Sequence, residues 1–181
     1  PRLPWFKGNL HSHTTLSDGR RTPEETAETY RKAGYHFIAV TDHLRYYPGS
    51  GARDFIVLDG IECHDNHYRP GRVCHITGVG FSAPPPQIPG DTPPQQIIDT
   101  FRSCGAWVTL AHPAWSLMHH QDALDLIGYD ALEIYSTISD TYAGRGYSAG
   151  YADILASAGR PVLLTAVDDS HFHDRDALRA F

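Results

Sequence analysis

Seven short apolar runs punctuate the chain, and the segments between several of them carry helical spacing. The runs cover residues 3–10, 36–41, 55–62, 73–81, 106–111, 131–135 and 161–165. Short, nearly continuous apolar stretches of this length predict strands buried on both faces, as in a parallel sheet. Thr22-Pro23-Glu24-Glu25 predicts a helix start, with Thr22 as N-cap, Pro23 at the first helical position and Glu25 closing a capping box; Gly34 should end that helix. A second helix is expected over residues 93–103, where Ile97, Ile98 and Phe101 share one face before Gly105. A weak helix falls within residues 120–127, and another runs over 147–158 to Gly159. Strands alternating with helices predict parallel βα units, and seven are more than a compact open sheet needs. The expectation is a single α/β domain over residues 1–181: a distorted seven-stranded (β/α) barrel of TIM-like type. A regular eight-stranded barrel takes about 250 residues, so some outer helices should be short or missing. Residues 45–54 are too short for a good crossover helix, and 82–94 read as a proline-rich surface loop. Residues 174–181 begin to look helical, so a covering helix or a further domain could follow.

The strand ends then collect chemistry. His11 and His13 follow the first strand one residue apart, which in extended chain puts both imidazoles on one face, and Asp18-Gly19 can turn a carboxylate back towards them. Asp42-His43 ends the second strand, Glu62 the third, His112-Pro113 the fifth, and Asp168-Asp169-Ser170-His171 the seventh. In a parallel barrel all these ends open on the face where such folds build active sites. His75 stands near the start of the fourth strand; it reaches the same face if that strand runs antiparallel to its neighbour, which the tight connection from Glu62 to Val73 allows.

Composition narrows the partners. The 181 residues carry 15 Lys and Arg against 21 Asp and Glu, a formal charge of −6, which argues against a general nucleic-acid or anionic-membrane binder. Cys63, Cys74 and Cys104 are odd in number and without Cys-x-x-Cys spacing, so neither a disulfide framework nor a thiolate zinc site is expected, and a reducing, cytoplasmic setting fits better. No run approaches the roughly 20 apolar residues of a membrane span, and the start lacks a signal-peptide pattern. The 12 histidines are abundant for this length, and their placement at strand ends matters more than their number.

Taken in order, His11-Ser12-His13-Thr14, Ser17-Asp18-Gly19, Thr41-Asp42-His43, Gly60-Ile61-Glu62, His75 within Cys74-His75-Ile76-Thr77-Gly78, His112-Pro113 and Asp169-Ser170-His171 span nearly the whole chain. Together they resemble the polymerase-and-histidinol-phosphatase (PHP) phosphoesterases. The resemblance implies a distorted barrel with a trinuclear metal centre that hydrolyses phosphate esters. It implies one metal on His11, His13, Glu62 and Asp169, a second sharing Glu62 and adding His75 and His112, and a third on Asp18, His43 and His171. Many members have a histidine where this chain offers Asp18. Six imidazoles and three carboxylates suit two to three divalent ions of Zn, Mn or Fe by ligand type. Such a centre is cationic inside an acidic protein and attracts a phosphate dianion, with a metal-bridging hydroxide as nucleophile.

The remaining candidates carry weaker signals. Asp42 is read as a catalytic-site residue orienting a ligand imidazole or as a turn-stabilising carboxylate. Spacing to His171 favours Asp169 over Asp168 as ligand. Glu133 is read as a salt-bridge partner or a further acid near the site. Arg20, Arg45 and Arg145 are candidate substrate-binding residues for a phosphate or carboxylate, and His173 is a candidate general acid. His64, His67, His119 and His120 have no assigned partner, and His36 is expected to be structural. The expected substrate is a small phosphorylated metabolite or nucleotide. Rival readings are a nuclease on polynucleotide ends, an amidohydrolase-type hydrolase and a non-catalytic metal-binding module.

Overall fold

The computed structural model describes residues 5–51 and 54–180. In chain order the elements are β1 (Gly8–Asn9), α1 (Pro23–Lys32), β2 (Phe37–Ala39), β3 (Ser50–Gly51), β4 (Ile56–Leu58), β5 (Gly60–Arg69) and β6 (Arg72–Val79). There follow α2 (Pro94–Ser103), β7 (Trp107–Leu110), α3 (His120–Asp125), β8 (Ala131–Ser136), α4 (Thr137–Ala143), α5 (Ala149–Ser157) and β9 (Leu163–Val167).

The strands form two open sheets instead of the expected seven-stranded barrel. One has the order β1-β2-β4-β3 and the other β5-β6-β7-β8-β9. Parallel pairing joins β1 to β2, β2 to β4, β7 to β8 and β8 to β9, whereas β6 runs antiparallel to both β5 and β7. The first sheet is built of two- and three-residue strands, too short to close a ring. It meets the second through isolated pairs: Ser12 with Ser170, His43 with Glu62, and Tyr47 with Gly60.

The apolar run at 55–62 is one strand in sequence and two in space. It breaks at Asp59, whose carboxylate accepts from Phe81 N (2.8 Å) and Tyr46 Oη (3.1 Å), and the chain then passes from one sheet to the other. Gly60 permits the crossing, because a Cβ there would lie 2.7 Å from the Val40 carbonyl oxygen.

Local signals explain the helices. Thr22 Oγ1 accepts from Glu25 N (3.2 Å) and Glu25 Oε2 accepts from Thr22 N (3.0 Å), the reciprocal cap expected for α1. α4 was not expected from sequence; Ser136 caps it by accepting from Ser139 N. The expected 147–158 helix begins at Ala149, the last strand is shifted to Leu163–Val167, and residues 174–180 carry no helix. Of the first expected strand only Gly8–Asn9 pairs, and residues 3 and 4 lie outside the described part.

Period-two alternation on β5 and β6 sets what the second sheet offers to each side. Ile61, Cys63, Cys74 and Ile76 turn to the core under α2, with Ile97, Ile98 and Phe101. Glu62, His64, His75 and Thr77 take the other face. A smaller core of Tyr30, Tyr35, Ile38, Val40, Phe55 and Val57 backs the first sheet.

Candidate metal centre

The segment from His11 to His13 lies at the seam between the two sheets. Thr41 N donates to Ser12 O (2.9 Å), His13 N to Ser170 O (2.9 Å) and Asp169 N to His11 O (3.0 Å), which lace the ends of β1, β2 and β9 together. Both imidazoles are fully buried there. The turn at Asp18-Gly19 folds back because Gly19 N donates to Thr14 O (2.9 Å); a Cβ on Gly19 would stand 2.5 Å from His13 O, so glycine alone fits.

The expected donors meet. His11 Nε2 and His13 Nε2 lie 3.1 Å apart, with Asp169 Oδ1 3.2 and 3.0 Å from them. Glu62 sits centrally: Oε1 is 3.4 Å from His11 Nε2, 2.9 Å from His75 Nδ1 and 3.4 Å from His112 Nε2, while Oε2 is 3.4 Å from His13 Nε2 and 2.9 Å from His43 Nδ1. Asp18 reaches the other end, 3.4 Å from His171 Nε2, 3.7 Å from His13 Nδ1 and 3.8 Å from His43 Nε2. Among the described residues, the groups whose donor atoms cluster closely enough for a cation are His13-Asp18-His43-His171, His11-His13-Asp169, His11-Glu62-His112 and His43-His64-His75.

The donor atoms fit a cation and little else. His13 Nδ1, His43 Nδ1, Glu62 Oε2, His75 Nε2 and Asp169 Oδ1 are buried without a well-aligned hydrogen bond, although His43 Nδ1 stands 2.9 Å from Glu62 Oε2 and Asp169 Oδ1 3.0 Å from His13 Nε2. Orphaned buried polar atoms each cost about 1–3 kcal/mol, and so many at one point fit positive charge placed among them. The backbone there is strained as well: His112 (φ 25°) and Asp169 (φ 54°) occupy the left-handed region.

The electrostatics agree. Burial opposes ionisation of Glu62, but His11, His43 and His75 outweigh it and hold the carboxyl well below its usual range. Asp169 is held low against its burial by His11 and His13, and Asp18 against its own by His171 and His13. Burial, reinforced by His171, pushes His13 down to about 4, and burial pushes His75 to about 4. His171 moves the other way, to about 9, because the Asp18 and Asp169 carboxylates overcome its burial. Burial likewise opposes charge on His11, but Asp169, Glu133 and Glu62 raise it. Burial opposes charge on His43 and His112 too, but the neighbouring carboxylates raise both. Without metal the site thus holds three ionised carboxylates, two neutral imidazoles and four imidazoles drawn towards protonation, and a cation binding there would displace protons.

Glu133 carries a role that sequence left between two readings. Its Oε1 is 2.8 Å from His11 Nδ1 and its Oε2 accepts from the backbone N of His112 (2.9 Å). A carboxylate at Nδ1 fixes the proton there and turns the Nε2 lone pair of the neutral ring towards the pocket. The His171 Nδ1 proton is likewise directed at the Asp169 carbonyl (2.9 Å).

The weaker candidates serve other contacts or stand apart from the donors. Asp42 orients no imidazole: its oxygens accept from Thr14 N (2.8 Å), Thr14 Oγ1 (2.6 Å), Ser17 N (3.1 Å) and Ser17 Oγ (2.6 Å), so it fastens the 14–17 turn. Asp168 faces away from the centre, accepting from Thr137 Oγ1 (2.8 Å), Arg179 N (2.7 Å) and Ala180 N (2.9 Å). Arg20 pairs with Asp174 on the surface (2.8 Å), Arg45 lines a separate groove, and Arg145 stands outside the pocket wall. A loop arginine announces charge but not direction, and sequence held no signal for where these point.

Above the donors opens a pocket of about 280 Å³ whose wall includes Trp115, Ile138, Ser139, Tyr142 and His173. Trp115 stacks edge-on against His75 and His112, with centroids 5.5 and 5.0 Å apart. Ile138, Ser139 and Tyr142 come from α4, the helix that sequence did not show.

No protein-family model matches the chain. The DNA polymerase/3'-5' exonuclease PolX of Bacillus subtilis is 50% identical over 44 residues, 24% of this chain and 8% of that protein. A phosphoribosyl 1,2-cyclic phosphate 1,2-diphosphodiesterase of Eggerthella lenta is 31% identical over 86 residues, 44% of this chain and 33% of that protein. The chain therefore spans a third or less of the curated relatives it matches. Among solved structures, an amidohydrolase from Chromobacterium violaceum with bound sulfate superposes with TM-score 0.73 at 14% identity, covering 97% of this chain and 91% of that one. A metal-dependent phosphoesterase structure from Bifidobacterium adolescentis gives TM-score 0.68 at 15% identity, covering 98% and 92%. A two-domain protein of Bacteroides vulgatus, with a predicted PHP-like metal-dependent phosphoesterase, gives 0.63 at 16%, covering 92% and 52%. The resemblance to PHP phosphoesterases thus extends from the motifs to the fold. No helix among the described residues is long and apolar enough to cross a membrane.

Proposed function

We propose that the chain acts as one domain, a metal-dependent phosphoesterase that hydrolyses a phosphate ester of a small metabolite or nucleotide. The observation that carries this reading is the convergence of nine side chains at the base of one pocket, seven of them in its lining and five presenting buried donor atoms without a well-aligned hydrogen bond. His11, His13, Glu62 and Asp169 would hold one ion, Glu62, His75 and His112 a second, and Asp18, His43 and His171 a third. Bound Zn, Mn or Fe would supply Lewis acidity and a water with a pKa near neutrality.

The protein's own groups do the rest. Glu133 and the Asp169 carbonyl hold the His11 and His171 protons on Nδ1, leaving Nε2 of each free to ligate. The wall of Trp115, Ile138 and Tyr142 excludes water on the leaving-group side. His173, whose Nε2 lies 3.4 Å from the Asp18 carbonyl at the rim, is the candidate to protonate the leaving alcohol. Among the described residues no arginine or lysine lines the pocket, so charge neutralisation would fall to the cations.

A nuclease acting on polynucleotide ends is the second reading, favoured by the stretch shared with the Bacillus subtilis polymerase/exonuclease. The pocket volume and the absence of arginine and lysine from its wall among the described residues favour a small substrate. The three free cysteines fit a reducing compartment such as the cytoplasm.

Elemental analysis of protein purified without chelator, with p-nitrophenyl phosphate and bis-p-nitrophenyl phosphate turnover on the same sample, tests the proposal. Two to three equivalents of metal, with turnover lost in His13→Ala, are expected. Full occupancy with cleavage of an amide or lactone only would replace it with an amidohydrolase, and less than one equivalent would overturn it.

A further inference from the structure

We infer that His64, with His43 and His75, forms an additional all-imidazole cation position, exclusive of the phosphoesterase centre because it takes two of that centre's histidines. The β5–β6 register sets His64 directly opposite His75, two residues along from Glu62 and on the same face. The His64 ring lies 5.2 Å from those of both His75 and His43, and the three rings offer nitrogen donors within 4.8 Å of one another. His64 Nδ1 and His75 Nε2 are buried without hydrogen-bond partners, while His43 Nδ1 faces the Glu62 carboxylate at 2.9 Å. A histidine held in a strand with an unpartnered ring nitrogen is explained by hydrogen bonding nowhere among the described residues; a cation explains it.

The donor set also predicts which cation. Three neutral imidazoles with water as fourth ligand suit zinc, copper, nickel and cobalt, and suit manganese and magnesium poorly. Nitrogens on a tetrahedral zinc stand roughly 3.4 Å apart, so the rings must close by about 1 Å, which rotation about their side-chain bonds supplies. His43 and His75 then turn from Asp18 and Glu62 towards His64. Occupancy here draws ligands from two of the three proposed phosphoesterase ions, so excess zinc should inhibit where manganese does not. The site itself stands on donor geometry alone; only its inhibitory effect rests on the phosphoesterase reading.

The full chain titrated with Co²⁺ and with Zn²⁺ tests this. In the unsubstituted protein, excess cobalt should bring in the visible absorption of a four-coordinate, nitrogen-rich site, and His64→Gln should lose that component. His64→Cys makes contact directly readable, because a thiolate touching cobalt adds a near-ultraviolet charge-transfer band that Cys63, Cys74 and Cys104 do not give in the unsubstituted protein. Zinc in excess should slow turnover of the unsubstituted protein and not of His64→Gln. An unchanged cobalt spectrum in His64→Gln, or a folded His64→Cys without the new band, would overturn the inference. A protein that shows the cobalt spectra and no phosphoesterase turnover would sustain this site and refute the proposed function.

Discussion

His11 and Glu133 stand 122 positions apart in the chain and meet through a 2.8 Å contact between Nδ1 and Oε1. The same carboxylate accepts from the backbone of His112 with its other oxygen, so two candidate ligands take their orientation from one side chain. Glu133→Gln removes that double service, because an amide offers only one accepting end to two N–H donors. Metal affinity should fall about 10- to 100-fold, as for other partners of ligand imidazoles. Competition against a chromogenic chelator measures it, and unchanged affinity would refute the role.

Asp42 anchors the 14–17 turn with both oxygens, and its removal should be felt as stability. Asp42→Ala leaves four donors unpaired and is expected to cost about 3 kcal/mol, or roughly 6–12 °C in Tm for a chain of this length. Asp42→Asn, which keeps one accepting oxygen, should cost about half of that. Thermal unfolding of metal-loaded protein distinguishes them; a destabilised Asn variant equal to Ala would mean that the charge, not the hydrogen bonding, holds the turn.

Asp168 and Asp169 are neighbours with opposite duties. Asp168 ties Thr137 and the backbone of residues 179 and 180, and Tyr30 Oη donates to it (3.2 Å). Asp168→Ala should lower Tm, by about 3 kcal/mol of stability, and retain metal in whatever fraction remains folded. Asp169→Asn should keep the fold, since asparagine also tolerates a positive φ, and lose at least one equivalent of metal. Elemental analysis beside circular dichroism separates the two, and identical profiles would contradict the assignment.

After chelation, stability should peak near pH 6.5. His13 and His75, held near 4 by burial, bind protons in the unfolded chain before the folded one, so stability is lost as pH falls from 6.5 towards 4. His171, raised to about 9 by the Asp18 and Asp169 carboxylates against its burial, contributes stability that is complete below its unfolded value and is lost as pH rises through 9. Melting curves between pH 4 and 10 should show both limbs, and His171→Ala should reduce the alkaline one, leaving the part that the raised His11, His43 and His112 contribute.

The sequence made legible whatever rests on neighbours in the chain. The Thr22-Pro23-Glu25 cap of α1 is local chemistry, and the antiparallel course of β6 follows from a connection that closes in a two-residue turn at Pro70-Gly71. The nine expected donors were also readable, because strand ends address them to one face. What stayed hidden depends on partners far away. The break at Asp59 is enforced by Tyr46 and Phe81, so an unbroken apolar run concealed two strands in different sheets. The segment Thr137–Ala143 is poor in strong helix formers and is started by the Ser136 cap, so its helix, and with it Ile138, Ser139 and Tyr142 of the pocket wall, left no periodic trace. His64 read as a spare histidine until the register set it against His75.

The seam between the sheets has a consequence for how the protein comes to life. His11, His13, Asp18 and His43 belong to the side of the early strands, and Glu62, His75, His112, Asp169 and His171 to the later sheet, yet backbone pairing across the seam is confined to isolated bridges. A cation bound between them is then a weld as much as a catalyst's tool, and its binding energy becomes folding energy. Because Asp169 and His171 lie beyond β9, the weld must wait for the last strand to dock. Metal capture would then be the closing step of folding, and without it the sheets would be joined only by the backbone lacing at His11, His13 and Glu62 and by bonds such as those of Tyr30 and Asn9 to Asp168.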